Sequence, residues 1–306
     1  MTPKQLARLA LVLGALLLLW GAAALARRGS RGPSESDRFT IPAVARDSAD
    51  SVIITRRADT TRLARRDSTS WTVNGHPASP TAIGELFAAL VDSARRTELV
   101  AGRPASHAAL GVDSAKGAGV RIVREDSTVA NLVLGNRGPS LDGGYFRSAG
   151  DSAVYLVGGN LAPVLERTQD EWRDRRVAAV AADSVARIEV SRGKRSYTLR
   201  RDGAGWVLGS GPADTAAVAA LLADYRQVEA AGFATKAQAD SAKFARPDRR
   251  AALLRVDGRP LVNLAFDSTS NGFWVRAGED STVYRVDTWF VDRLTPADSS
   301  LRGDRN

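Results

Sequence analysis

The chain says nearly the same thing twice, and a duplicated unit constrains its fold more than any single motif does. Asp50-Ser51-Val52 opens a stretch that reaches Trp71 and later runs through Tyr145-Phe146-Arg147 and Val154-Tyr155-Leu156-Val157. Asp183-Ser184-Val185 opens a second stretch that reaches Trp206 and runs on through Phe273-Trp274-Val275-Arg276 and Val283-Tyr284-Arg285-Val286. The offsets are 133 at the opening, 135 at the tryptophan and 129 at the Val-Tyr pair. That register predicts two copies of one structural unit, each of ordinary domain size.

Hydrophobic residues at 44% and charged residues at 25% are enough to build two packed cores within 306 residues. The net charge of +9 comes from arginine scattered among acidic residues. Without a basic face or a recognisable binding module, this does not read as a nucleic-acid footprint. The absence of cysteine excludes disulfides, thiol catalysis, a lipoprotein attachment site and cysteine-based metal sites.

Leu9 to Ala26 carries no charged side chain and is flanked by Lys4 and Arg8 on one side and Arg27, Arg28 and Arg31 on the other. As a helix this run spans roughly 27 Å, just enough for a hydrocarbon core of about 30 Å. The Ala24-Leu25-Ala26 end also fits a cleaved signal peptide, but the arginines directly after it disfavour cleavage. The favoured reading is a single-pass signal anchor over 9–26. Residues 1–8 are then cytoplasmic, and 27–46 are a linker of Arg, Gly, Ser, Pro and Glu.

The expected fold is α+β: two tandem repeats of antiparallel β-meander with packed helices, preceded by one N-terminal transmembrane helix. The repeats are placed at 47–170 and 183–296, with a connector at 171–182 and a polar tail at 297–306. In the first, strands at 52–54, 61–63 and 71–73 lead to a helix over 80–95. There Ile83, Leu86, Phe87, Leu90 and Val91 keep helical spacing, and Pro80 suits the first turn. Strands at 120–124, 128–134, 145–148 and 154–157 follow, then a short helix at 161–167. The second repeat matches in order, with strands at 185–190, 197–201 and 206–208 and a helix capped by Asp214. Strands at 252–256, 261–266, 273–276 and 282–286 and a helix at 289–294 complete it. Asp257-Gly258 signals a tight hairpin.

Chemistry-bearing patterns are scarce. His76 and His107 lie in turn-like sequence with no second ligand nearby, whereas a metal site needs three or four. Asp-Ser occurs twelve times at irregular spacing, which argues for turn chemistry rather than one nucleophile. Gly135, Gly138, Gly143 and Gly144 precede a strand and do not follow phosphate-loop spacing. Trp71 and Trp206 read as core anchors, or alternatively as the aromatic lip of a ligand groove. No catalytic, cofactor-binding or metal-binding residue is assigned, and the expectation is a chain that is not an enzyme and holds no cofactor.

Several landmarks together resemble the domain-of-unknown-function family 4340. They are the apolar N-terminal run, the tryptophan strand before a helix, Leu110-Gly111-Val112-Asp113 and Leu132-Val133-Leu134-Gly135. Gly144-Tyr145-Phe146-Arg147, Val154-Tyr155-Leu156-Val157 and Glu171-Trp172-Arg173-Asp174-Arg175 complete the set, so the resemblance spans Ser51 to Leu294. The second repeat has Phe244-Ala245-Arg246 where the first has Leu110-Gly111-Val112. The resemblance implies a bacterial inner-membrane protein, extracytoplasmic (periplasmic) in its bulk. It also implies a non-catalytic accessory of an ABC transporter, partnered by the permease or envelope proteins. The alternative is an extracytoplasmic ligand-binding protein with its site between the repeats.

Overall fold

The computed structural model describes residues 41–93, 97–139 and 143–303. The expected membrane segment at 9–26, its flank at 1–8, most of the 27–46 linker and the 94–95 end of the long helix lie outside the described residues. No helix among the described residues is long and apolar enough to cross a membrane.

The first nine strands are β1 (Ser51–Thr55), β2 (Thr60–Arg65), β3 (Trp71–Val73), β4 (His76–Pro77), β5 (Thr97–Ala101), β6 (Ala118–Arg124), β7 (Ser127–Arg137), β8 (Gly144–Ser148) and β9 (Val154–Val157). After β10 (Arg176–Ala178) come β11 (Arg187–Arg192), β12 (Arg195–Asp202), β13 (Gly205–Leu208), β14 (Gly211–Pro212), β15 (Val228–Glu229), β16 (Gly232–Phe233), β17 (Arg249–Leu254), β18 (Pro260–Thr269), β19 (Gly272–Ala277) and β20 (Tyr284–Val286). Among the described residues eighteen of them form two nine-stranded sheets, ordered β4-β3-β2-β1-β6-β7-β8-β9-β5 and β14-β13-β12-β11-β17-β18-β19-β20-β16, and β10 pairs with β15 in a two-stranded sheet. The two orders are the same order. In each, two antiparallel meanders join through their first strands, and the strand that lies between the meanders in sequence, β5 or β16, pairs with the last strand and closes the far edge. The α+β antiparallel expectation holds.

The helices are α1 (Pro80–Ser93), α2 (His107–Leu110), α3 (Leu161–Leu165), α4 (Gln169–Trp172), α5 (Thr215–Tyr225), α6 (Lys236–Ser241) and α7 (Thr288–Leu294). Helix α1 starts where Pro80 needs no amide partner and Ser79 Oγ accepts from the Ala82 amide at 3.3 Å. Its Ile83, Leu86, Phe87 and Leu90 are buried, while Val91, expected on the same stripe, is 40% exposed. Helix α5 is capped by Asp214, whose carboxylate accepts from the amides of Ala216 and Ala217.

By compactness the chain divides into Met1–Thr60 with Glu85–Glu166, and Thr61–Gly84 with Arg167–Asn306. In the first unit the buried positions alternate along the strands: Val52 and Ile54 on β1, Val120 and Ile122 on β6, Leu132 and Leu134 on β7. In the second unit Ile188, Val190, Leu199, Leu253, Leu264, Phe266 and Val275 do the same, joined by Val218, Leu221, Leu222 and Tyr225 of α5. One face of that sheet is covered by α5 and α7, and the other carries buried Phe244 beside a groove.

Register fixes the duplication more closely than the sequence match at its opening does. Ile54 lies opposite Val120 as Val190 lies opposite Ala251, so β1 and β11 correspond at an offset of 136, not 133. The counterpart of Asp183-Ser184-Val185 is therefore Asp47-Ser48-Ala49. Both segments make the same short turn, with Ser48 N–H on Ala45 O at 3.0 Å and Ser184 N–H on Ala181 O at 3.1 Å. The correspondence runs upstream to Ile41 and Val44, which are buried like Val177 and Val180. Residues 41–46, read as linker, thus belong to the packed fold. Val185, read as strand, precedes β11, and Val256, read as strand, is 93% exposed at the tip of the hairpin turned by Asp257-Gly258.

The far end of each copy is closed by the same device. Ser79 N–H donates to Trp172 O at 2.8 Å and Asp174 N–H to Pro77 O at 2.9 Å. Asp214 N–H donates to Leu301 O at 3.0 Å and Gly303 N–H to Pro212 O at 3.2 Å. Trp172 and Leu301 are both buried. The residues from 297 on, read as a polar tail, include the last stitch of the second copy.

Candidate functional site

The open face of the second sheet carries a groove of about 720 Å³. Its floor is set by register. Ser196, Ser191, Arg250, Ala265 and Arg276 face one another in turn across β12, β11, β17, β18 and β19. In the next row Thr198, Glu189, Ala252 and Asn263 do the same. Inward neighbours on these strands are apolar and buried, so alternation forces these polar and small side chains outward.

Arg250 and Arg276 stand on either side of Ala265, two strand spacings or about 10 Å apart at their Cα atoms. A methyl group between two long cationic side chains leaves the space above it open. Arg276 lies over the ring of Phe244, 4.7 Å from its centroid, with Phe244 itself buried. The Nε of Arg276 is buried and has no hydrogen-bond partner among the described residues. Arg250 makes a long contact, Nη2 to Ala245 O at 3.4 Å. Glu189 is paired with Arg187 at 3.6 Å, and Glu279 also lines the groove, so its two arginines are matched by two carboxylates.

The first copy has no equivalent groove floor. The matching row there is Thr55, Gly119, Val133 and Arg147. Glycine stands in for Arg250, and Arg147 is held by carbonyl oxygens. Its Nε donates to Val112 O at 2.8 Å, and its Nη1 to Ser148 O at 3.0 Å and Ala149 O at 2.9 Å.

The residues singled out in the sequence have structural roles elsewhere. His76 is on β4, and burial, then the charge of Arg173, pushes its pKa down. His107 is on α2 with Nε2 at 2.8 Å from Ser152 O. Asp67, Asp113, Asp151 and Asp280 of the Asp-Ser pairs accept from backbone amides two or three residues on, as turn residues do. A side chain at Gly135 would meet Leu110 O at 2.4 Å, and one at Gly144 would meet Ala162 Cβ at 2.6 Å, so both are close-packing glycines. Trp71 is buried, and Trp206 belongs to the core of the second unit and does not line the groove. Among the described residues no three His, Asp or Glu side chains converge as metal ligands would.

Arg250 and Arg276 were not distinguished by sequence reasoning. The available signal was the failure of the repeat at the central turn, where Phe244-Ala245-Arg246 stands in place of Leu110-Gly111-Val112 and Phe244 receives Arg276. No curated protein and no solved structure matches the chain. A family model does, over residues 71–243, from the tryptophan strand of the first copy to the turn that carries Phe244 in the second. The chain belongs to the family described as Domain of unknown function (DUF4340).

Proposed function

We propose that this chain is a non-catalytic, membrane-anchored, extracytoplasmic interaction protein and an accessory component of an ABC transporter system. The anchor rests on the uncharged run Leu9–Ala26 and its basic flanks. The transporter assignment rests on the family resemblance. The interaction role is supported by one structural observation above the others: the second unit carries a groove on one sheet face, lined by Ser, Thr and Asn together with Arg250, Arg276, Glu189 and Glu279. A polar lining spread in register across five strands suits the docking of a protein segment.

The test is extraction of the full chain from membranes in detergent and identification of what stays bound. Co-purification of an ABC permease in stoichiometric amount is the expected result. Recovery of the chain alone, or in the soluble fraction after lysis, overturns the reading. A second reading, an extracytoplasmic ligand-binding protein, draws its support from the groove volume, which is in the range of small-molecule sites. A metabolite screen that raises the melting temperature favours it, since a ligand that binds only the folded state stabilises that state.

A further inference from the structure

The far edges of the two sheets are the same place in the repeat and are finished differently. Leu99 lies opposite Tyr155 on β9 as Phe233 lies opposite Tyr284 on β20, so β5 and β16 correspond. In the second copy the edge strand is two residues long, and the Arg173 guanidinium lies 3.5 Å from the centroid of the Phe233 ring. The residues just before it are held by the chain itself, through the pairing of β15 with β10 and the Ala230 amide on Arg175 O at 2.9 Å. A short strand under a cationic side chain is one way a sheet edge is kept from pairing with another chain. In the first copy the edge strand has five residues, and no backbone hydrogen bond reaches its outer side from the described residues. Its register with β9 shifts across Val100, and both Leu99 and Val100 are exposed, at 48% and 44%.

We propose that β5 is a self-association edge, which pairs antiparallel with β5 of a second copy of this chain about a two-fold axis between Val100 and Ala101. The sequence Glu98-Leu99-Val100-Ala101-Gly102-Arg103 is complementary to itself in that register. Glu98 falls opposite the partner's Arg103, Leu99 opposite the partner's Gly102 and Val100 opposite the partner's Ala101, each twice by symmetry. Glu98 and Arg103 are both exposed, and Arg103 keeps extended backbone dihedrals past the end of β5. A Cβ on Gly102 would meet nothing within 4 Å, so the partner's Leu99 has room there. Centred on Leu99 instead, the pairing would set Glu98 against an apolar valine and lose its counter-charge. Charge complementarity therefore selects both the occupant and the register. An edge closed on its own copy leaves no row of unpaired amides, and the inference stands apart from the transporter reading. The contact is small, so the association is expected in the micromolar range.

The test uses the full chain in detergent, its mass followed by light scattering across a concentration series. A shift from monomer to dimer with rising concentration is expected. Glu98→Arg and Arg103→Glu each set like charges opposite one another and are expected to raise the dissociation constant by roughly tenfold. The double variant Glu98→Arg/Arg103→Glu restores the pairing and is expected to lie within about threefold of the natural chain. Because the chain has no cysteine, the register can be read directly. A mixture of Leu99→Cys and Gly102→Cys chains is expected to form an intermolecular disulfide that neither variant forms alone. A chain that stays monomeric throughout overturns the proposal, as does a dimer indifferent to the charge reversals or one that the double variant fails to recover. Leu99→Cys cross-linking to itself as fast as to Gly102→Cys overturns it too, because the self-complementary register is then absent. Thermal melts of the variants that match the natural chain ensure that lost pairing is not lost folding.

Discussion

Arg147 and Arg276 occupy the same strand position in the two copies and do different work. The first ties Val112 and the β8 turn together through carbonyl oxygens, and the second lies on Phe244 and faces the groove. The arginine is common to both copies but meets different groups, because the turn beside it differs: Leu110-Gly111-Val112 in the first and Phe244-Ala245-Arg246 in the second. In the second copy the arginine meets an aromatic ring where the first copy offers carbonyl oxygens.

This difference makes the two arginines unequal in stability. Arg147→Ala removes charge-assisted bonds that fix the turn around Gly111, and is expected to lower unfolding free energy by about 1.5–3 kcal/mol. Arg276→Ala breaks no hydrogen bond to the described protein and is expected to cost no more than about 1 kcal/mol, chiefly its contact with Phe244. Urea titrations of the two variants check the ordering, and equal destabilisation would contradict it.

A second arginine in the same unit is structural. Arg249 Nη1 donates to Asp292 Oδ1 at 2.6 Å and to Thr295 Oγ1 at 3.0 Å, and its guanidinium lies 4.8 Å from the centroid of Phe273. Arg192 reaches the same carboxylate oxygen at 3.3 Å. Arg249 is only 15% exposed while Asp292 is 47% exposed, so the pair is partly screened and the packing of the arginine stem matters as much as its charge. Arg249→Ala is expected to cost about 2 kcal/mol and Arg249→Met appreciably less. A double-mutant cycle with Asp292→Ala isolates the ionic part, expected at no more than about 1 kcal/mol.

Burial raises the pKa values of two tyrosines in the second unit that donate to backbone carbonyls. Tyr225 is fully buried and its hydroxyl donates to Leu294 O at 2.7 Å, and burial pushes its pKa well above the ordinary value. Tyr197 donates to Pro296 O at 2.8 Å and is shifted in the same direction by burial. Both hold their protons in the folded chain at pH values where the unfolded chain, titrating near pH 10, has lost them. Their contribution is therefore complete below about pH 10 and declines as pH rises beyond it through the raised folded values. Tyr225→Phe is expected to cost about 1 kcal/mol at neutral pH and to flatten the loss of stability above pH 10. Chemical denaturation at pH 7 and pH 10.5 compares the two effects, and an unchanged alkaline slope would contradict the assignment.

How much of this was legible in the sequence depended on whether a feature was local. Helix α1 was readable because Pro80 and the stripe Ile83, Leu86, Phe87, Leu90 lie within four turns of one another. Val91 misled because a stripe that wide includes residues at its margin. The start of the repeat was misplaced for a different reason. Asp50-Ser51-Val52 matches Asp183-Ser184-Val185 better in sequence than Asp47-Ser48-Ala49 does, and only the strand register, with Ile54 opposite Val120 as Val190 is opposite Ala251, selects the latter. Strand β5 was missed because Leu99 and Val100 are exposed on an edge strand and show no alternation. The groove lay beyond sequence reasoning altogether. Periodicity can say that Arg250 and Arg276 point outward, but only the pairing of both β17 and β19 with β18 makes them neighbours across Ala265.

The closing stitch of each copy predicts how the C-terminus behaves. If residues after 296 were a solvated tail, deleting them would leave stability unchanged. Instead Leu301 is 2% exposed, its carbonyl accepts from Asp214 at the cap of α5, and Ala213 pairs with Arg302 in an isolated bridge. The deletion would uncap the contact that holds the start of α5 against the end of the chain and expose the pocket filled by Leu301. Truncation after Pro296 is expected to cost about 3–5 kcal/mol, and Leu301→Ala alone about 2–3 kcal/mol. Because Trp172 fills the equivalent place in the first copy, Trp172→Ala should cost at least as much, about 3–5 kcal/mol. Differential scanning calorimetry of the three variants tests the equivalence. If the truncated chain melts with the intact one, the second copy ends before residue 297 and the correspondence between Trp172 and Leu301 fails.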